Sequence, residues 1–124
     1  MYAIRNLLTA VVALALVQAA RADDKVAFAG KWAGTWSNSL GETGDDTLTL
    51  TEDEDGNLTG TWTGDVPVSG SRTNRNSFEL KGKTKNRSYQ ITGAVKNGVL
   101  NLKYVVTRLN MDGSYDGKAT LKRE

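Results

Sequence analysis

Apolar and polar residues alternate along most of this chain, and glycines repeatedly stand on the apolar side of the alternation. Residues 47–52 place Leu48 and Leu50 between threonines, and residues 58–64 repeat the pattern. Alternation with a period of two is typical of β-strands that bury one face and expose the other. The glycines on the apolar side are Gly34, Gly60, Gly64, Gly70, Gly82, Gly93 and Gly117.

These glycines need a structural reason, because glycine inside a strand destabilises it by roughly 0.5–1 kcal/mol. The interior of an eight-stranded barrel is just wide enough for side chains. Glycines would leave room there for the rings of tryptophan, phenylalanine and tyrosine. The pattern therefore predicts strongly coiled strands that close into a barrel.

The alternation divides into eight segments that are separated by short turns. They cover residues 31–37, 47–52, 58–64, 66–70, 77–83, 88–96, 99–108 and 115–123. Asn97-Gly98 is a strong hairpin signal, Pro67 makes the fourth strand the weakest, and residues 23–29 form a short polar lead. The predicted fold class is all-β, an eight-stranded antiparallel up-and-down β-barrel, with a β-sandwich of similar strand count as the alternative.

The N-terminal residues 1–22 predict a cleaved signal peptide. Arg5 precedes an apolar run over residues 7–17, and Ala20-Arg21-Ala22 fits a cleavage site. The alternative is a membrane anchor, but the run is far shorter than the roughly 20 residues that span a bilayer. We therefore expect a barrel domain over residues 23–124 that is secreted or periplasmic.

The composition excludes several kinds of chemistry. Neither cysteine nor histidine is present, so disulfides, cysteine or histidine catalysis and the usual zinc sites are excluded. We expect no enzyme, no cofactor and no metal site. Without Arg5 and Arg21 the chain has 14 basic and 14 acidic residues, which argues against a nucleic-acid partner.

The charges are nevertheless unevenly distributed along the chain. Residues 42–65 are acidic and contain no cation, whereas residues 66–108 are mainly basic. Lys81, Lys83, Lys85 and Arg87 alternate, which predicts a basic stripe on the outer face. Such a stripe either attracts an acidic partner or is a solvated surface.

Gly30-Lys31-Trp32 at the start of the first strand resembles the G-x-W signature of the calycin barrels, which include lipocalins, fatty-acid-binding proteins and avidins. The resemblance implies that Arg123, near the end of the last strand, lies against Trp32. The segments 38–41 and 55–62 are similar in order to the first three strands of avidin-like proteins. However, Trp62 and Gly64 stand where avidins use hydroxyl groups to bind biotin, so the resemblance implies the fold and not biotin binding.

Strand parity also predicts the core and the surface. The residues expected to be buried are Trp32, Leu48, Leu50, Leu58, Leu80, Ile91, Leu100, Leu102 and Leu121. Those expected to face solvent are Thr49, Thr59, Thr61, Lys81, Thr92 and Lys103.

The candidate site follows from strand direction, because odd strands run towards one end and even strands return from it. If Trp32 marks the base, five inward aromatic residues gather at the opposite end, beside Gly64 and Gly82: Trp36, Trp62, Tyr89, Tyr104 and Tyr115. They predict a site for a small apolar, planar or sugar-like ligand, flanked by the loops 38–46, 84–87 and 109–114. The alternative is that the rings plug a filled barrel, which would then be a secreted or envelope interaction or inhibitor module.

Overall fold

The computed structural model describes residues 25–124, which form a closed antiparallel barrel of eight strands in sequence order. The strands are β1 (Gly30–Asn38), β2 (Thr43–Glu52), β3 (Asn57–Trp62), β4 (Val66–Arg72), β5 (Ser77–Lys83), β6 (Arg87–Lys96), β7 (Val99–Arg108) and β8 (Ser114–Arg123). The predicted fold class is confirmed and the sandwich alternative is wrong. The predicted signal peptide lies outside the described residues and stays a prediction. None of residues 25–124 belongs to a helix long and apolar enough to cross a membrane.

The barrel closes where β8 pairs with β1, and Arg123 stands opposite Trp32 in that register. The guanidinium of Arg123 lies 4.3 Å from the centre of the Trp32 ring. A cation over an indole face contributes on the order of 0.5–2 kcal/mol. The predicted closure, and the contact that the calycin resemblance implied, are therefore both present.

The interior is filled by the side chains that strand parity placed there. All nine residues predicted to be buried are at most 1% exposed, and all six predicted to face solvent are exposed. A shift of one residue in register would have exchanged the two sets. The leucine and threonine alternation therefore fixes the register of the sheet.

The inward glycines allow neighbouring strands to approach closely. A Cβ atom on Gly60 would lie 1.8 Å from the carbonyl oxygen of Thr49, and Gly34 and Gly70 meet backbone oxygens at 1.9 Å. At Gly117 the obstacle would be the Tyr104 ring, 2.4 Å away. Glycine is thus required both by the coiling of the sheet and by the large rings inside it.

Two strand boundaries near the mouth differ from the prediction. β2 already begins at Thr43, so Asp46 belongs to the strand and points inward instead of standing in a loop. β3 ends at Trp62, and Gly64 lies exposed in a turn with φ +94°, so its predicted inward position is wrong. The parity was extended beyond the end of the strand. Pro67 lies exposed within β4, opposite Thr61.

The lead before β1 closes the base of the barrel. Phe28 is fully buried, and its ring packs edge-on against Phe78 with 4.8 Å between centroids. Trp32 Nε1 donates to the Phe28 carbonyl at 3.0 Å. The guanidinium of Arg72 lies 4.2 Å from the centre of the Phe28 ring. The prediction of a merely polar lead is therefore wrong, because its one large apolar residue completes the core.

Candidate functional site

Two hollows are candidates for a site within the described part of the chain. The larger, about 840 Å³, is lined mainly by residues of β1 and β4–β8, of which about half are serine, lysine or acidic residues. The smaller, about 380 Å³, lies at the mouth, the end of the barrel opposite Phe28. The mouth hollow joins aromatic and polar groups within the barrel rim, so we take it as the candidate site.

All five aromatic residues predicted for the site line the mouth hollow. Two of them, Trp62 and Tyr104, are only 3% and 5% exposed. Trp36, Tyr89 and Tyr115 are half-buried. The five rings therefore divide into a floor, formed by Trp62 and Tyr104, and walls, formed by the other three.

The floor is fixed by contacts within the protein. Trp62 packs edge-on against Tyr104 with ring centroids 4.9 Å apart, and against Tyr89 at 5.4 Å. Trp62 Nε1 donates to Asp46 Oδ2 at 3.0 Å, and the Tyr104 hydroxyl donates to the Ser37 carbonyl at 3.2 Å. Burial raises the pKa of Tyr104 to about 12, so this hydroxyl stays protonated. Both polar groups of the floor are thus already used.

Asp46 lies beside the floor as a buried carboxylate, 2% exposed. Burial raises its pKa from 3.8 to about 6, although the hydrogen bond from Trp62 opposes the rise. Its Oδ1 atom has no hydrogen-bond partner among residues 25–124. The sequence analysis missed this residue because a carboxylate on the apolar side of an alternation was interpreted as the end of a loop.

The walls keep their polar atoms unpaired. Trp36 Nε1, the Tyr89 hydroxyl and the Tyr115 hydroxyl make no hydrogen bond within residues 25–124. Trp36 lies against Gly44, where an added Cβ would come within 2.8 Å of the indole nitrogen. The walls therefore offer ring faces together with unused hydrogen-bonding groups.

The loops around the mouth are partly ordered by their own polar groups. Asn38 Oδ1 accepts from the backbone amides of Leu40 and Glu42, and Asn38 Nδ2 donates to Glu42 Oε1 at 2.8 Å. Asn38 and Glu42 also line the hollow, as expected for the first flanking loop. The Leu109 amide donates to the Asn86 carbonyl at 2.8 Å, which joins the loops after β7 and β5.

Two arginines also belong to the mouth. Arg87 lines the rim of the hollow with an exposed side chain, at the start of β6 and with the parity of Tyr89 and Ile91. Arg87 therefore lies at the mouth rim, whereas Lys81 and Lys83 of the predicted basic stripe lie on the outer face of β5. Arg108, at the end of β7, has the inward parity of Val106, and its guanidinium lies 5.4 Å from the centre of the Tyr115 ring. The parity of both residues could have been read from the sequence.

No three acidic, cysteine or histidine side chains within residues 25–124 converge as they would around a metal ion. The side chains around the mouth hollow carry indole, phenol, amide, carboxylate and guanidinium groups.

Comparison with known proteins finds similarity in fold. No family model matches the sequence, and no curated protein matches it. The structure of EF1p2_mFAP2b bound to DFHBI is similar with a TM-score of 0.60 and 12% identity, over 77% of this chain and 93% of that one. The redesigned β-barrel mFAP1 bound to DFHBI gives 0.54 and 15%, over 77% and 94%.

A protein of unknown function from the DUF3598 family of Nostoc punctiforme gives a TM-score of 0.57 and 10% identity, over 78% of this chain and 47% of that one. Identities this low establish the barrel fold alone. They do not single out a lipocalin or an avidin among barrel families.

Proposed function

We propose that this protein is a binding protein that holds a planar or ring-containing small molecule at the mouth of its barrel and has no catalytic role. One observation carries the proposal: five aromatic residues surround a single hollow of about 380 Å³, and three of them keep unpaired polar atoms. Ligand pockets commonly occupy about 300–1,000 Å³ and combine apolar walls with a few polar groups. The hollow is at the small end of that range, so a compact ligand fits it.

The site is preformed, which favours binding. The floor rings are held by Asp46 and by the Ser37 carbonyl before any ligand arrives. A ligand would therefore order only the half-buried walls and the rim, and binding loses less affinity when fewer groups must be immobilised. The two similar barrels with DFHBI bound support the proposal, since barrels of this fold can carry a ligand.

Export is part of the proposal. It rests on the charge, apolar run and cleavage pattern of residues 1–22, and it places the protein in the periplasm or outside the cell. Mass spectrometry of the protein from its source should find a mature chain that begins at Asp23 in an envelope or culture fraction. A chain that keeps its N-terminus in the cytoplasmic fraction would contradict export.

The binding test uses the neutral aromatic dye N-phenyl-1-naphthylamine, whose fluorescence rises in apolar sites. We expect saturable binding, with energy transfer from the tryptophans. Tyr89→Ala and Tyr115→Ala should each weaken it by about 3- to 10-fold, because an aromatic contact contributes about 0.5–1.5 kcal/mol. Thr61→Ala on the outer face is the matched control and should leave the affinity unchanged.

Absence of saturable binding, or equal binding by the wall variants and the control, would contradict the proposal. Trp62→Ala is a poor test, because Trp62 is buried and its loss would open the core. A separate experiment, native mass spectrometry of the protein from its source, would identify a co-purifying ligand by its mass.

A second candidate function is an interaction or inhibitor module, favoured by apolar side chains on the mouth loops. Leu40, Leu109 and Met111 are 54%, 45% and 60% exposed. Clustered exposed apolar residues are typical of protein contacts. Leu109→Ser together with Met111→Ser would impair such a module but would leave dye binding at the walls intact.

A further inference from the structure

The mouth contains an arginine pair in an unusual position. Arg87 and Arg108 stand directly opposite each other in the β6–β7 register, both with inward parity. Like charges placed opposite each other in a sheet are destabilising. An anion bound between the two guanidinium groups would relieve this repulsion.

The described part of the chain does not supply that anion. Its ion pairs within 4.0 Å are Lys31–Glu124 and Arg72–Glu52, both at the base. Of the acidic groups near the mouth, Glu42 is hydrogen-bonded to Asn38, and Asp46 is buried against Trp62. The other acidic groups at this end make no ion pair with either arginine within 4.0 Å: Asp45, Asp65, Asp112 and Asp116. Within residues 25–124, neither guanidinium has an acidic partner, and both are accessible from the solvent side of the mouth.

Arginine and lysine are sorted by position in these strands. The strand arginines all have inward parity: Arg72, Arg87, Arg108 and Arg123. The strand lysines all have outward parity: Lys31, Lys81, Lys83, Lys96, Lys103, Lys118 and Lys122. A guanidinium stacks on rings and bonds oxygen pairs, whereas an ammonium prefers water. The mouth arginines thus occupy positions suited to binding oxygen groups.

At the base, inward arginines lie over aromatic rings and donate hydrogen bonds to oxygen atoms. Arg72 lies over Phe28 and donates to the Val26 carbonyl at 2.6 Å and to the Glu52 carboxylate at 2.8 Å. Arg123 lies over Trp32 and donates to the carbonyls of Ala27 and Ala29. At the base, oxygen atoms of the chain itself satisfy the guanidinium groups. At the mouth, no oxygen atom of residues 25–124 accepts a hydrogen bond from the guanidinium groups of Arg87 and Arg108.

We propose that the ligand of the mouth carries an anionic oxygen group, a carboxylate or sulfonate, which Arg87 and Arg108 hold while its planar part lies against the aromatic walls. The proposal rests on the proposed function and specifies its ligand class. Hydrogen bonds between a guanidinium and an anionic oxygen group are about twice as strong as neutral ones. The Arg108 guanidinium lies 5.4 Å from the centre of the Tyr115 ring, and this contact orients its N–H donors.

The test compares two dyes that share a naphthylamine ring system: neutral N-phenyl-1-naphthylamine and 8-anilinonaphthalene-1-sulfonate, which adds a sulfonate. The measured quantity is the ratio of their affinities, because a change in pocket shape affects both dyes and largely cancels. In the wild type we expect the sulfonate to bind about 10-fold more tightly, or better, since a charged hydrogen bond contributes about 1.5–3 kcal/mol.

The double variant Arg87→Gln/Arg108→Gln should reduce this ratio by about 10-fold or more, whereas Lys103→Gln on the outer face should not change it. The double variant Arg87→Lys/Arg108→Lys should restore part of the preference, since it keeps the charge but loses the planar fork. Raising the salt concentration should weaken the sulfonate selectively. Circular dichroism and the melting temperature establish that each variant is folded.

The outcomes separate the two proposals. Binding of the neutral dye with no preference for the sulfonate would overturn the anionic ligand and leave the proposed function standing. An equal loss of preference in Lys103→Gln and in the arginine variant would also overturn it, because the effect would then be general surface charge. Failure of both dyes to bind would overturn the proposed function as well.

Discussion

The base and the mouth of the barrel carry similar residues whose polar groups are satisfied to different degrees. Arg72 and Arg123 at the base bond to oxygen atoms of residues 26–29 and of Glu52. The guanidinium groups of Arg87 and Arg108 at the mouth make no bond to oxygen within the described residues. The comparison indicates that the polar groups of the base are satisfied within the fold, whereas the guanidinium groups of the mouth are not.

The carboxylates differ in the same way. Glu52 at the base accepts from Arg72 at 2.8 Å, and this hydrogen bond lowers its pKa. Asp46 near the mouth has no cation beside it, and burial raises its pKa to about 6. A paired charge stabilises the fold, whereas a buried and unpaired one destabilises it. We therefore expect changes at the base to reduce stability and changes at the mouth to alter binding.

The largest effect is expected for Phe28→Ala. The side chain is fully buried between Phe78 and Arg72, and removing a buried phenylalanine costs about 3–5 kcal/mol. Urea unfolding measures the loss, with Met111→Ala, 60% exposed at the mouth, as the control. Loss of less than about 1 kcal/mol would mean that the lead does not belong to the core.

Single substitutions of an arginine at the base and of one at the mouth test the difference between the two ends directly. Arg72→Gln leaves Glu52 without its cation in a part-buried site, with Arg72 and Glu52 side chains 10% and 16% exposed, and should cost about 2–4 kcal/mol. Arg108→Gln removes a contact over Tyr115 and also the repulsion from Arg87, so it should cost less than about 1 kcal/mol. Equal costs in chemical unfolding would show that the two ends do not differ in this respect.

Asp46→Asn should stabilise the barrel at neutral pH. Between the ordinary pKa of 3.8 and the folded value of about 6, the folded protein holds a proton that the unfolded chain has released. The stability contributed by this group therefore falls as the pH rises through that window, and above it the penalty is on the order of 2–3 kcal/mol. Asparagine cannot ionise and keeps an oxygen for Trp62.

The measurement is the difference in unfolding free energy between Asp46→Asn and wild type at several pH values. The difference cancels the opposite contribution of Glu52, whose lowered pKa favours stability at higher pH. We expect the variant to gain relative to wild type between pH 4 and 6 and to keep that gain above pH 6. A difference that is independent of pH would show that Asp46 is not buried as a charge.

Much of the fold could be predicted because one local rule governs it. Alternation along β2 assigns Leu48 inward and Thr49 outward without any knowledge of neighbouring strands. The same rule, together with strand direction, brought Trp36 and Tyr115 to one end of the barrel. Ligand binding at those residues stays a prediction, since the geometry of rings does not measure affinity.

The failures occurred where contacts are not local. Phe28 stands alone in a segment without alternation, and only the folded base shows what it packs against. Gly64 follows the parity of β3, but the chain turns at Thr63, where φ is +53°. Arg87 was different, because its inward parity was visible and its charge led us to place it outside.

The smallest effect is expected for Arg123→Lys at the base. Lysine keeps the charge over Trp32 but lacks the fork that reaches the carbonyls of both Ala27 and Ala29. The bond that is lost joins an exposed guanidinium to a backbone carbonyl. A typical hydrogen bond contributes about 0.5–1.5 kcal/mol net, so the substitution should cost about 1 kcal/mol. Arg123→Ala also removes the ring contact and should cost more.

Hydrogen exchange of the backbone amides distinguishes this local effect from general destabilisation. If Arg123 holds the lead against the base, Arg123→Lys should increase exchange at Val26, whose amide donates to the Arg75 carbonyl at 2.8 Å. The amides of β6 and β7 at the mouth should exchange at the wild-type rate in the native state. Faster exchange at both ends would mean that the base and the mouth open together. The two ends would then not be independent in stability.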